Sequence, residues 1–187
     1  MTSRTLYLFA SAAPPVFDIA QVIETAQADG WDVCLGLTLT AARWLDEAGT
    51  RRDSLDGLAA LTGHPVRSEY KLPGQPDVWP KADVILFAPA TFNSINSWAL
   101  GITSSFVVGV VAEGIGKGIP TVTMPCVNAA YAQHRQLHRS VTELREQGVT
   151  VLYGDGGFEP NPAGSGKPAG YPWDIALSAA AHLVDEA

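Results

Sequence analysis

"ADVILFAPATFNS", residues 82–94, decides the fold. Its first part, ADVILFAPA (82–90), is opened by Asp83 and is an unbroken apolar run from there on, with polar residues beyond it. A run of that length without polar alternation reads as a strand buried on both faces. It stops at Pro89, and a polar cluster follows: Thr91, Asn93, Ser94 and Asn96. Working outward, TLYLFAS (5–11), WDVCLGLT (31–38), PTVTMPCVN (120–128) and VTVLYGD (149–155) read as strands, with PVRSEY (65–70) a shorter one. Helical signals fall between them. Asp18 offers an N-cap with Gln21 three residues on, as in a capping box, and Ile19, Val22, Ile23 and Ala26 follow at helical spacing up to Gly30. Helices are also predicted around AARWLDEA (41–48), over LDGLAALTG (55–63), on the Leu137, Val141 and Leu144 stripe, and over 174–187. Strands alternating with helices predict an α/β, doubly wound parallel sheet covered on both faces, as one domain over 1–187.

Composition narrows the function. The net charge is −7, which excludes the basic footprint of a nonspecific nucleic-acid binder. Charged residues are 17% of the chain against 47% hydrophobic. That balance suits either a protein with part of its surface covered by copies of itself or a plain Gly- and Ala-rich one. Trp98, Phe106 and the apolar run at 107–116 exceed what one core helix needs and read as a subunit contact. No apolar run is long enough to span a bilayer. Cys34 and Cys126 sit in strand-like runs without CxxC or Cys/His ligand spacing, so the reading is cytoplasmic and metal-free. His134 and His138 lie one helical turn apart, but no third ligand accompanies them.

Ligands of such sheets bind beyond the carboxyl ends of the strands. The first exit is SAAPP (11–15), whose small residues let a ligand approach the backbone, while Pro14 and Pro15 remove two N–H donors, as in an ordinary turn. The second presents Thr38 and Thr40 where a helix begins, a setting that suits a phosphate. The third presents Asn93, which donates and accepts at once and so suits the edge of a heteroaromatic ring. The fourth is PCVNAAY (125–131), again proline and then asparagine.

PATFNS (89–94) resembles the PASANT motif, and PCVNAAYA (125–132) the PxMNxxMW motif, of the homo-oligomeric flavin-containing cysteine decarboxylases. Pro89, Ala90 and Asn93 match the first; Pro125 and Asn128 match the second. Thr38 and Ala41 match the family's T-x-x-A after the second strand. The resemblance implies a flavodoxin-like (Rossmann-like) sheet with FMN bound between subunits of a homotrimer, or of a dodecamer built of trimers. Ala12 and Ala13 would line the phosphate side with Thr38 and Thr40 nearby, and Thr91, Phe92, Asn93 and Ser94 would contact the flavin. Cys126 would sit beside it, and Asn128 would meet the substrate carboxylate, so that Asn93 and Asn128 are the candidate catalytic residues. The implied partner is a small molecule or peptide with a cysteine-like end, with neither nucleic acid nor membrane. SGK (165–167), in the Gly/Pro-rich stretch 154–173, resembles a substrate clamp.

The chain also departs from the family. The family's basic histidine stands eight residues before the acidic residue that opens the strand leading to PASANT. Here Asp83 is that acidic residue, and the position holds Gln75, which does not titrate. The long loop lacks the cysteine that reprotonates the product in the phosphopantothenoylcysteine enzymes, and Val127 replaces a methionine. The expected protein is therefore an FMN-binding oxidoreductase or decarboxylase-like flavoprotein with altered chemistry. The alternatives are a true oxidative decarboxylase of a peptidyl C-terminal cysteine and a non-catalytic, flavin-binding regulatory subunit.

Overall fold

The run at 82–90 becomes the central strand, β3 (Val84–Ala90), with all seven residues buried. Successive side chains of a strand point to opposite faces, so complete burial means that both faces of the sheet are covered. The computed structural model describes residues 4–48, 50, 52–164 and 170–185. The other strands are β1 (Arg4–Ala10), β2 (Trp31–Leu37), β4 (Thr121–Pro125) and β5 (Thr150–Val151). They form one sheet in the order β2-β1-β3-β4-β5, and every pairing is parallel. This is the flavodoxin-like order, with its switch point between β1 and β3.

The helices are α1 (Ile19–Ala28), preceded by a 3-10 turn at Pro14–Asp18, then α2 (Leu39–Glu47), α3 (Leu55–Thr62), α4 (Phe92–Ala99) and α5 (Phe106–Gly116). After β4 come the short α6 (Ala129–Ala132), α7 (Arg135–Glu146) and α8 (Trp173–Asp185). The predicted strands and helices recur in order, joined by α4, α5 and α6, which lie outside the helices predicted from the sequence, and four readings are corrected. Asp18 precedes α1 but makes no side-chain cap, because the 3-10 turn opened by Pro14 and Pro15 runs straight into the helix. PVRSEY is not a strand: it touches the sheet edge only at Arg67, whose N–H and carbonyl pair with Leu35 and Leu37. Pro65 lacks the N–H that an earlier rung would need. β5 is shorter than VTVLYGD, since the chain turns back at Gly157, where a Cβ would lie 2.4 Å from the Leu152 carbonyl carbon.

The fourth correction concerns the apolar excess. Trp98 and Phe106 are buried in the chain's own core, 3% and 4% exposed, as are Val107, Val108 and Val111 of α5. They are not surface. The large apolar side chains left exposed are others, among them Leu39, Tyr70, Leu100, Ile102 and Tyr131. Among the described residues, no helix is long and apolar enough to cross a membrane.

Close contact between neighbouring strands depends on Gly36 of β2. A Cβ there would meet the Phe9 ring at 2.3 Å, and Phe9 is fully buried. Gly36→Ala is expected to lower stability by about 1–3 kcal/mol, the usual cost of overpacking. Urea denaturation measures this, and an unchanged midpoint would contradict it.

Candidate functional site

Three main-chain hydrogen bonds tie the strand ends into a row. Thr38 N–H donates to Ala10 O at 3.0 Å, Ser11 N–H to Pro89 O at 2.8 Å, and Cys126 N–H to Ala90 O at 2.8 Å. The exits of β2, β1, β3 and β4 therefore lie side by side. At the switch point the buried Ser11 and Ser94 hydroxyls meet at 2.8 Å, joining the end of β1 to the first turn of α4. The Ala88–Pro89 peptide is cis.

Beyond this row lies a cavity of about 1170 Å³. All ten residues singled out from the sequence line it: Ala12, Ala13, Thr38, Thr40, Thr91, Phe92, Asn93, Ser94, Cys126 and Asn128. Several helices begin on it. Thr38, Thr91, Ser105 and Asn128 are the N-caps of α2, α4, α5 and α6, and each accepts a main-chain N–H of its own first turn. Those side-chain oxygens are thus occupied by their own helices. First-turn amides have no intrahelical partner, and the helix dipole adds partial positive charge there. The walls consequently favour an anion through the main chain, although no Lys, Arg or His lines the cavity among the described residues.

The side chains divide the lining further. The Asn93 amide is exposed and has no partner among the described residues. Phe92 and Tyr131 stack with ring centroids 4.8 Å apart and planes 25° apart, forming an aromatic wall. Burial pushes the Cys126 thiol up to about 11, so it is a thiol rather than a thiolate at neutral pH. Tyr171 is buried and its phenol lies well above its ordinary range, chiefly through desolvation; its hydroxyl donates to Met124 O at 2.5 Å.

Sequence reasoning missed residues 104–106 of this wall and two further segments. The first is Ser68, Glu69 and Tyr70, an edge loop with no periodicity to mark it. Tyr70 is fixed by its hydroxyl, which donates to Thr103 O at 2.9 Å and Ser105 O at 3.1 Å. It fits because position 109 is glycine, where a Cβ would sit 1.7 Å from the Tyr70 hydroxyl oxygen. The second lies in the long loop, which the sequence marks only through SGK, and its Phe158, Asn161 and Tyr171 close the far side. Asn161 O accepts from Ala129 N–H at 2.8 Å, next to Asn128. The clamp-like SGK at 165–167 lies outside the described residues.

Gln75 does not line the cavity. It is exposed in a turn of its own, its side-chain carbonyl accepting from Leu72 N–H at 2.9 Å. His64 lies at the other end of β2, with Nε2 2.7 Å from Asp32. His134 caps α7, where its Nδ1 accepts from Gln136 N–H, and it meets the Phe92 ring edge-on. Among the described residues no group of three or more His, Cys, Asp or Glu side chains could hold a metal ion.

The sequence matches the Flavoprotein family over residues 1–177. The chain belongs to that family. The resemblance read from the two strand-exit motifs thus holds at the level of family and fold. This flavoprotein is similar in structure to TvaF, an FMN-dependent cysteine decarboxylase from thioviridamide biosynthesis, with a TM-score of 0.72, 16% identity, and 97% of this chain and 98% of that one covered. It is similar to a PPC decarboxylase complexed with pantothenoylaminoethenethiol, with a TM-score of 0.68, 16% identity and coverage of 99% and 100%. It is also similar to SpaF, a further FMN-dependent cysteine decarboxylase, with a TM-score of 0.66, 23% identity and coverage of 96% and 98%. No curated protein sequence matches the flavoprotein.

Desolvation of Cys126 gives a direct test of the wall's character. Iodoacetamide should label native Cys126 at pH 8 on the order of a hundredfold more slowly than free cysteine, because the thiolate is the nucleophile. Fast labelling would mean that the site stabilises the thiolate.

Proposed function

We propose that the cavity holds FMN and that the protein performs decarboxylase-like flavin chemistry on a small molecule or peptide with a cysteine-like end. One observation carries this reading: ten residues from four separate strand exits line a single cavity at the switch point. The lining suits a flat heteroaromatic ring with a phosphate tail. Ala12 and Ala13 keep bulk off one wall, and the first turn of α2, with Thr38 and Thr40, offers N–H groups to the phosphate. Thr91, Phe92, Asn93 and Ser94 would meet the ring, the free Asn93 amide serving its polar edge, with Cys126 beside it. Asn128 would orient the substrate carboxylate through the part of its amide that does not cap α6. Bound FMN would supply two-electron oxidation, and the protein would position the reacting groups and exclude water.

A second reading, a flavin-binding subunit without catalysis, is favoured by the lack of histidine in the described lining and by the place of Gln75 outside it. The assembly we propose is a cytoplasmic homotrimer or a dodecamer of trimers. Exposed Leu39, Tyr70 and Tyr131 at the cavity support a subunit contact there. Cys34 and Cys126 are free thiols, which suits a reducing compartment.

Purified protein should show the near-ultraviolet and blue bands of oxidised flavin, or acquire them on adding FMN. A colourless protein that takes up no FMN sinks the reading. Ala12→Leu should weaken FMN binding at least about tenfold by putting bulk on the phosphate wall. Incubation with peptides ending in cysteine separates the two readings: loss of CO₂ and two hydrogens by mass spectrometry marks an oxidative decarboxylase. Gln75→His should change neither FMN binding nor any turnover, and a gain of decarboxylation would contradict the position found for Gln75.

A further inference from the structure

Glu69 is the single acidic side chain in the described lining. Its carboxylate makes no hydrogen bond or ion pair with the described residues; its main-chain carbonyl alone is engaged, accepting from Arg67 Nη2 at 3.2 Å. Two cations flank it in sequence, and both are committed elsewhere. The Arg67 guanidinium lies over the Phe106 ring at 4.4 Å and near Trp79 at 5.6 Å. Lys71 pairs with Asp77 at 2.6 Å. The segment around Glu69 is also fixed in place. Arg67 is hydrogen-bonded to the edge of β2, and Tyr70 is anchored at the start of α5. An exposed carboxylate thus stands at the rim of the cavity, on a segment anchored at either side, with no cation of the described chain paired to it.

The remaining walls have the opposite character. The helix N-termini favour negative charge, while Glu69 repels it and attracts positive charge. A ligand that satisfies both carries an anionic end and a cationic group. We propose that Glu69 is a specificity residue that pairs with a protonated amine of the substrate close to its reacting end. The amine would be a free α-amino group or the side chain of a neighbouring lysine. This rests on the cavity being the substrate site, as proposed above, and selects within that substrate class: amine-bearing, zwitterionic ligands over wholly anionic ones.

Calorimetric titration of the FMN-loaded protein with N-acetylated Ala-Lys-Cys and Ala-Glu-Cys tests the pairing. Ala-Ala-Cys with a free and with an acetylated N-terminus separates the two amine sources. Wild type should bind the lysine peptide about tenfold more tightly than the glutamate one at low salt, with the gap shrinking as salt rises. Glu69→Gln should bring the two within about twofold, and Glu69→Lys should reverse their order. Circular dichroism and light scattering check that each variant keeps its fold and assembly. Equal binding of both peptides by wild type, no binding of any, or an unchanged preference in Glu69→Gln would overturn the proposal. So would a change of assembly mass in Glu69→Gln, which would make Glu69 a subunit contact. A preference that emerges only in Lys167→Gln would overturn it too, since the chain would then neutralise its own carboxylate. If the protein takes up no FMN yet shows the Glu69-dependent preference, the cofactor reading falls and this one stands.

Discussion

The site depends on the join between β1 and β3. The chain leaves β1 toward one side of the sheet and β3 toward the other, so the segments beyond these two strands diverge. What keeps the divergence from becoming a mere gap is the pairing of Ser11 with the third exit, by its N–H to Pro89 O and by its buried hydroxyl to Ser94. A buried hydroxyl without a partner is costly, so each serine holds the other in position. With that join made, the Thr38 and Cys126 amides complete the row on either side. The N-termini of α2 and α4 then open onto one space.

How much of this was legible in the sequence follows from which residues are constrained twice. β3 was readable because burial on both faces demands an unbroken apolar run, and few other elements look like that. The exits of β1 to β4 were readable because each must end an apolar run and start a helix, which leaves small, hydroxyl or amide residues in fixed order. PVRSEY looked like a strand on composition, yet one pair of hydrogen bonds at Arg67 is all the edge of β2 receives. Trp98 and Phe106 looked like surplus because α4 and α5 were not yet packed on each other and on the sheet. Both are needed inside.

The lateral wall was harder to read for a different reason. Ser68 to Tyr70 reach the cavity through an irregular edge segment, held by one tyrosine hydroxyl and a glycine that makes room for it. No periodicity announces such a contact. The chain between Tyr70 and Asp83 runs mostly through exposed turns, and Gln75 falls in one of them. Distance along the chain is a good guide only across regular elements.

The capping arrangement has an evolutionary consequence. Because Thr38, Thr91, Ser105 and Asn128 direct their oxygens to their own helices, the groups turned toward the cavity at these points are largely main-chain amides. Every residue except proline supplies the same amide. Drift at such positions therefore erodes this part of the wall slowly, as long as the helices still start where they do. Side chains such as Glu69, Phe92 and Tyr131 have no such protection and are free to diversify. A chain built this way can retain one architecture around this opening while the side chains that line it change.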